Sequence, residues 1–506
     1  MRGATDRPQI IRNGLVADAT GFQGRADILV AGDTIAAIGA PGLAAPEGAE
    51  TIDAARMLLH PGLVNAHTHG HGNLAKSAGD RWTLELLLAA GPWITNYRSA
   101  EHKRLSAAIG AAEMVLKGCT ACYDLFVEIP GPTPEGIAAV ADAYETVGMR
   151  GVIAPMLADL TVYEAVPGLY DAMPAWLQPS LDELRLPEWT VTVGRMRAIL
   201  ADWRRGDDGP RLAVAPTIPL HCRDAMMAAC RDLAAEFDVG LHMHVAESKV
   251  QAVSGQRVYG RSLVAHLEEL GLLGPRFTAA HAVWLDADDM RRLGAHGASA
   301  AHNPASNMRL GNGVADMAAL LAHGVNVGIG TDAGTCGDNL NMYGAMHFAA
   351  AASRVQGPDP AAWITSPQVF AAATTGSAAA LGFDRIGRIA PGYKADIVFL
   401  SLDAPTLIPL NAPVTQLVLA EDGTSVHSVM IGGRFVVRDR RLLTVDLTKL
   451  ADEAAAARAE LDEAGRERRA LFDAVAPIVA DFCPALAGTP WHINRYCGCP
   501  EGAVSA

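Results

Sequence analysis

The sequence predicts an α/β protein: a (β/α)8 TIM-type barrel with a small β-sandwich domain built from both chain ends. Three observations carry that expectation. Through the middle of the chain, continuous apolar strand candidates alternate with Ala-rich helical stretches, the pattern of a parallel sheet buried on both faces. Polar residues fall repeatedly at the C-terminal ends of those strands, which is the active-site face of a barrel. Short β-rich runs broken by Gly, Asp and Asn recur at both ends of the chain, as in the hairpins of a small sheet. Alternation alone does not count strands into a closed ring, and a doubly wound sheet satisfies it too.

Taken in order, residues 10–14 and 26–39 read as strands of the small domain, whose first half is assigned to 1–60. The barrel is assigned to 61–389. Its strands are expected at 63–69, 151–154, 212–215, 240–245, 277–281, 298–302 and 325–332. The β-rich texture returns at 395–400 and 429–436, giving 390–445 as the second half of the small domain. Residues 446–506 form a C-terminal helical extension and tail. Within it, 449–480 is rich in Ala, Glu and Arg and reads as amphipathic helix, packing against the domain or against a second subunit. A homo-oligomer, dimer or higher, is the expected assembly.

With 50% hydrophobic and 19% charged residues the chain is globular. A net charge of −14 argues against a nucleic-acid partner, which would need a basic stripe facing the phosphates. The first eight residues lack the apolar core of a signal peptide, and no apolar run approaches the ~20 residues of a membrane span. A cytoplasmic location and no membrane partner are expected. Eight cysteines in 506 residues do not make a disulfide framework. Cys119 and Cys122 have the spacing of a metal or redox pair, but strand-like neighbours make them buried strand residues. Cys483, Cys497 and Cys499 have no second pair at a finger-like spacing.

The chemistry is concentrated in Leu63-Val64-Asn65-Ala66-His67-Thr68-His69-Gly70-His71. On a strand, His67 and His69 project from the same side and can share one metal ion. His244, His281 and Asp332 stand at three later strand ends on the same expected rim. Three imidazoles and a carboxylate suit Zn²⁺, with Fe²⁺ a competitor. An open coordination position would lower the pKa of a bound water towards about 7 and make hydroxide available at neutral pH. Glu247, three residues after His244, can relay protons to a ring nitrogen and a departing amine. His281 can orient the water or ligate the metal. Asp332, beyond the small residues of Gly328-Ile329-Gly330-Thr331, can ligate and accept a proton. His71 falls to the loop or the pocket wall.

The motifs Pro61-Gly62-Leu63-Val64-Asn65-Ala66-His67-Thr68-His69, His244-Val245-Ala246-Glu247, Ala280-His281-Ala282-Val283-Trp284, His302-Asn303-Pro304-Ala305-Ser306-Asn307, Gly330-Thr331-Asp332 and Gly392-Tyr393-Lys394-Ala395-Asp396 together resemble the amidohydrolase superfamily. The nearest branch is that of the S-adenosylhomocysteine and methylthioadenosine deaminases and the triazine hydrolases. The resemblance, over roughly residues 10–440, implies a metal-bearing barrel that hydrolyses C–N or sometimes C–Cl bonds on heterocycles. Binuclear members bridge two metals with a lysine or a glutamate on a mid-barrel strand. No lysine lies between Lys117 and Lys249, so one divalent ion is expected, on His67, His69, His244 and Asp332. The expected reaction is hydrolytic deamination of an amino-substituted N-heterocycle by metal-bound hydroxide, with Glu247, His281 and Asp332 catalytic. Two alternatives are another C–N or C–Cl hydrolysis of the same kind and an inactive barrel scaffold.

The chain departs from the resemblance in one stretch. Nucleoside-processing relatives often carry a histidine within Ala-Pro-His-Ala-Pro, whereas Ala215-Pro216-Thr217-Ile218-Pro219 has a threonine, which cannot match an imidazole's reach or charge. That argues against adenosine-type substrates. His221 reads as a loop histidine. Trp82, Glu85, Thr217, His302 and Asn303 are the candidate substrate contacts.

Overall fold

The structure, a computed structural model, describes residues 7–19, 21–95, 98–206 and 209–496. Cys497 and Cys499 lie outside the described residues.

The two ends of the chain meet in one mixed sheet. Its leading strands are β1 (Gln9–Asp18), β2 (Gly21–Ala31), β3 (Thr34–Gly39), β4 (Glu50–Asp53) and β5 (Met57–Pro61). Ten parallel strands follow: β6 (Leu63–His69), β7 (Cys119–Phe126), β8 (Arg150–Leu157), β9 (Arg211–Leu212), β10 (Ala215–Pro216), β11 (Leu241–Val245), β12 (Phe277–His281), β13 (Ser299–His302), β14 (Asn326–Ile329) and β15 (Asp332–Ala333). The chain then returns to the first sheet with β16 (Ile397–Ser401), β17 (Val426–Ile431), β18 (Arg434–Arg438) and β19 (Arg441–Leu442).

The order of the terminal sheet is β19-β18-β17-β16-β5-β1-β2-β3, with β4 beside β1. Its halves join where β5 runs antiparallel to β16. Ile431 pairs with Arg434 across Gly432-Gly433, and both glycines have positive φ, as a two-residue hairpin turn demands. One nine-stranded sheet is thus drawn from both ends of the chain. It is tied to the central strands by a buried ion pair, Arg150 Nε to Asp396 Oδ2 at 2.9 Å, and Asp396 also accepts from the Gly432 N–H at 2.7 Å.

The central strands are buried throughout β6 and β7, as strands covered on both faces must be. They form two ladders, β10-β8-β7-β6-β15 with β9 on β8, and β11-β12-β13-β14. The ladders approach each other at both edges. On one side Val214 bridges to Leu241, and the His244 N–H donates to the Thr217 carbonyl at 2.8 Å. On the other, β14 leads through Gly330-Thr331 into β15, which pairs with β6. The sequence led us to expect one closed barrel, and the ladders are interrupted at two places. Pro216 has no N–H to give, and Gly330-Thr331 turns its backbone towards Asn65 instead, Thr331 N–H donating to the Asn65 side chain at 3.1 Å.

Beyond the terminal sheet, the expected helical segment is two helices, Leu447–Ala464 and Arg466–Ala487, that meet at Gly465. The second is long and apolar enough by composition to cross a bilayer, contrary to the sequence expectation that no run comes close. Its apolar side is nonetheless occupied: Phe472, Val475, Val479, Cys483 and Leu486 are buried in a cluster with Leu86, Ala89, Ala90 and Ile94 of the helix Leu84–Ile94. The six cysteines among the described residues are buried free thiols, Cys119 and Cys122 on β7 among them.

Candidate metal centre

At the C-terminal ends of the parallel strands, side chains from β6, β11, β12 and β15 meet at one point. The period of two along β6 puts His67 and His69 on the same side, and their ring centroids are 4.7 Å apart. His244 closes from β11, its Nε2 3.3 Å from His69 Nε2. Asp332 Oδ1 lies 3.2 Å from His69 Nε2 and 3.6 Å from His67 Nε2. Two overlapping groups, His67 with His69 and His244, and His67 with His281 and Asp332, each keep their ligand atoms within 4.8 Å of one another. All five residues are buried.

The residues behind the cluster decide which ring nitrogen faces inward. His69 Nδ1 donates to the Leu125 carbonyl at 2.5 Å and His244 Nδ1 to the Thr217 carbonyl at 2.7 Å. Both rings therefore turn an unprotonated Nε2 to the centre, the orientation that backing hydrogen bonds impose on metal-binding histidines. His67 Nδ1 is 3.2 Å from His242 Nε2. Its own Nε2 is buried with no hydrogen-bond partner, and so is His281 Nε2. Lone pairs converging on one another beside a carboxylate repel unless a cation lies among them. The donor set and its orphaned nitrogens thus fit a divalent ion of the Zn²⁺ or Fe²⁺ kind.

Strain marks the same place. Ala246, His281, Ala282 and Asp332 all have left-handed backbone, at φ +50°, +69°, +50° and +61°. Such conformations cost roughly 1–3 kcal/mol each and collect at functional sites. Gly330 explains the close packing behind His67, since a Cβ there would sit 2.2 Å from Asn303 Oδ1 and 2.9 Å from His67 Cβ.

Two carboxylates in the site are driven in opposite directions. Burial pushes Glu247 well above the usual range, and the charges of Asp332 and Glu85 add to it. Burial would lift Asp332 as well, but hydrogen bonds from the His67 and His69 rings, when those rings rather than an ion carry the positive charge, hold it well below the ordinary value. Glu247 Oε2 and Asp332 Oδ2 flank His281 Nε2 at 3.5 and 3.9 Å. An uncharged acid and an ionised base held around one point are the arrangement proton transfer requires.

A single segment braces that triangle. His281 Nδ1 is 2.8 Å from Asn307 Oδ1, Ser306 Oγ donates to Asp332 Oδ2 at 2.6 Å, and Asn312 Nδ2 donates to Glu247 Oε1 at 3.0 Å. Trp284 Nε1 donates to the Asn312 carbonyl at 2.7 Å. The C-terminal tail grips the segment's far end: Val314 N–H donates to the Arg495 carbonyl at 2.9 Å, and Tyr496 packs edge-on against Trp284.

A cavity of about 320 Å³ opens from the centre, and His69, His71, Thr217, His221, His244, Glu247, His281 and Asp332 are on its wall. The sequence-derived residues divide accordingly. His67, His69, His244, His281, Asp332 and Glu247 converge. Thr217 is on the wall and backs His244. His71 lines the cavity with its ring centroid 5.2 Å from His69, and its Nδ1 accepts from the Val127 N–H. His221 belongs to a buried turn rather than an open loop. Asn303 stands behind His281, Nδ2 to Nδ1 3.4 Å, and His302 is buried off the cavity wall. Trp82 and Glu85 do not line the cavity. Trp82 packs edge-on against Trp93 and Phe472, because the C-terminal helix covers it. Glu85 is buried and accepts from Ser248 Oγ at 2.7 Å.

Sequence reasoning missed His242, Ser306, Asn307 and Asn312. His242 carried a usable signal, since His242-Met243-His244 repeats the alternation of His67 and His69. Ser306 and Asn307 lie in the quoted stretch His302-Asn303-Pro304-Ala305-Ser306-Asn307, and Asn312 had no signal.

Parallel strands presenting an imidazole and carboxylate cluster at their C-terminal ends are the arrangement that a metal-binding hydrolase of the α/β class requires. The chain belongs to the amidohydrolase family, which matches residues 58–436. It is 32% identical over 462 residues to a 5-methylthioadenosine/S-adenosylhomocysteine deaminase of Syntrophobacter fumaroxidans, covering 89% of this chain and 97% of the relative. It is 33% identical over 448 residues to a 5'-deoxyadenosine deaminase of Methanothermobacter thermautotrophicus, covering 88% and 97%. Among solved structures, an adenosine deaminase from Xanthomonas campestris with bound zinc superposes with a TM-score of 0.79 at 26% identity, over 90% of this chain and 98% of that one. An atrazine chlorohydrolase from Arthrobacter aurescens complexed with zinc gives 0.80 at 26%, over 89% and 99%.

Proposed function

We propose that this protein is an aminohydrolase that releases ammonia from an amino-substituted N-heterocycle, using one divalent ion held by His67, His69, His244 and Asp332. The observation that carries the reading is the convergence of inward-turned ring nitrogens on Asp332, with Glu247 and His281 beside them. When bound, the ion supplies Lewis-acid activation of water and electrostatic stabilisation of developing charge. The chain's own residues handle the protons. Asp332 takes one from the attacking water, which His281 orients through its unpartnered Nε2. Glu247 gives its proton to the ring nitrogen next to the reacting carbon, Asp332 passes the proton taken from water to the departing amine, and Glu247 regains a proton from the carbon-bound hydroxyl as it becomes the carbonyl. Braced by Asn307, Ser306 and Asn312, the three groups hold their geometry without reorganising.

The names of the relatives put adenine nucleosides first among substrates to try, and Thr217 argues for a different ring or substituent. Zinc in the related structures makes Zn²⁺ the first choice of metal, ahead of Fe²⁺. The reading includes a ring of eight strands, with β9 and β10 taken as one and β14 and β15 as one, closed through Val214–Leu241 and β15–β6, a terminal β-sandwich from 1–60 with 390–445, and an extension at 446–506. A cytoplasmic location is consistent with buried free thiols at all six described cysteines. Assembly into a homo-oligomer would cover apolar side chains such as Trp176, which is 71% exposed. The decisive test is ammonia release across purines, pyrimidines, pterins and triazines by the zinc-loaded protein. Chloride or alkylamine release without ammonia would move the activity to the second kind of C–N or C–Cl hydrolysis.

A further inference from the structure

Away from the metal centre the cavity wall carries an unbalanced positive charge. Arg98, Glu128, Glu183, Arg185 and Arg468 are its charged residues outside the centre. Three of them are accounted for. Glu128 is paired with buried Lys103 and accepts from the Thr133 N–H at 3.0 Å. Arg185 is paired with Asp182 and Glu164, and Glu183 is exposed at the rim.

The other two are cations that no carboxylate neutralises. Arg98 donates to the His71 carbonyl and, at 2.7 Å, to the Ile94 carbonyl. Its Nε is buried with no partner. The charge that acts on it is another guanidinium, Arg458, which is itself paired with Asp462. Arg468, from the C-terminal helix, faces the cavity without an ion pair among the described residues. A guanidinium removed from water costs several kcal/mol unless a counter-charge reaches it, and its planar fork matches carboxylate or phosphate oxygens in pairs. The same cavity wall carries Leu84, Leu87, Leu88 and Ile129, and apolar surroundings strengthen such a contact.

We infer that Arg98, with Arg468, is the subsite for an oxyanion on the substrate, so that the natural substrate is an amino-substituted heterocycle bearing a carboxylate or a phosphate. The inference rests on the aminohydrolase reading of the metal centre. Arg98 bonds the carbonyl of His71, whose ring is 5.2 Å from that of His69. An anion at Arg98 therefore anchors the far side of the same molecule whose amino carbon faces Asp332 and Glu247. Arg468 comes from outside the family-matched region 58–436, so the extension contributes directly to specificity.

Two matched pairs test this: pterin against pterin-6-carboxylate, and adenosine against adenosine 5′-monophosphate. Each is assayed with the zinc-loaded full chain for ammonia release, and for equilibrium binding, by fluorescence for the pterins and by calorimetry for the nucleosides. The carboxylate or phosphate member should exceed its neutral partner by at least about tenfold in affinity or kcat/KM, and the better anion identifies the source. Arg98→Gln should erase that preference while changing the neutral partner by less than about threefold. Arg468→Gln should reduce it and serves if Arg98→Gln does not fold. Loss of both partners equally in Arg98→Gln would make Arg98 only a clamp on two carbonyls and overturn the subsite, as would equal treatment of both pairs by the parent. Arginine-dependent binding of the anion without any turnover would keep the subsite and sink the aminohydrolase reading. Turnover blind to the anion would do the reverse.

Discussion

Replacing Glu247 with Gln separates proton transfer from everything else the site does. Glu247 is 2% exposed, and burial favours its uncharged form. The amide is nearly isosteric with that form and keeps an oxygen to accept from Asn312 Nδ2, now at 3.0 Å. Packing and the Asn312 contact therefore survive, and stability should change by no more than about 1 kcal/mol. Metal content should also stay the same, because Glu247 belongs to neither ligand group. What disappears is the carboxyl proton that Glu247 is proposed to give to the ring nitrogen. Loss of one general acid–base group costs about 100- to 10,000-fold in rate, roughly 3–5 kcal/mol in barrier. The assay is steady-state ammonia release on the best substrate of the panel, beside metal analysis and thermal unfolding of the same preparation. Turnover within about threefold of the parent, with metal retained, would refute the role given to Glu247.

Four further outcomes follow from the same geometry. His71→Ala should leave metal stoichiometry unchanged, since its Nδ1 serves the Val127 N–H; a metal-free variant by elemental analysis would make His71 a ligand. Asn312→Ala removes the one donor to Glu247 Oε1, and kcat should fall by about tenfold with metal retained; an unchanged kcat would detach the tail-braced segment from catalysis. Arg150→Met leaves Asp396 buried without its cation and should cost about 3–5 kcal/mol in denaturant unfolding; a loss under about 1 kcal/mol would show that the two sheets are held by other contacts. His60 is fully buried, and burial lowers it from 6.5 to about 4. A group depressed on folding contributes stability above its unfolded value and loses it as pH falls to the folded one. His60→Gln should therefore flatten the loss of stability between pH 6.5 and 4 by about 3 kcal/mol, and an unchanged acid limb would contradict that.

The part of the site legible in the sequence is the part that obeys a strand's own periodicity. His67 and His69 share a face by alternation, and His244, His281 and Asp332 stand at the ends of continuous apolar runs, so position along a strand was enough to bring them together. His242 follows the same rule and was overlooked because His244 alone completed the set. Ser306 and Asn307 were visible only as part of a motif, and Asn312 not at all, because the course of their segment is set by contacts of Asn312 with Trp284 and of Val314 with Arg495, far apart in sequence. Trp82 and Glu85 stay off the cavity wall for a related reason. Which side of Leu84–Ile94 faces the cavity depends on the helix Arg466–Ala487 packed against it, and no local pattern near residue 82 records that partner.

The most direct measurement is metal content against activity in one preparation. The purified chain should carry one equivalent of divalent metal by elemental analysis, lose ammonia-releasing activity when chelated to below about a tenth of an equivalent, and regain it on addition of Zn²⁺ or Fe²⁺. Full activity in the chelated protein, or a metal content that survives His67→Ala together with Asp332→Ala, would contradict the account.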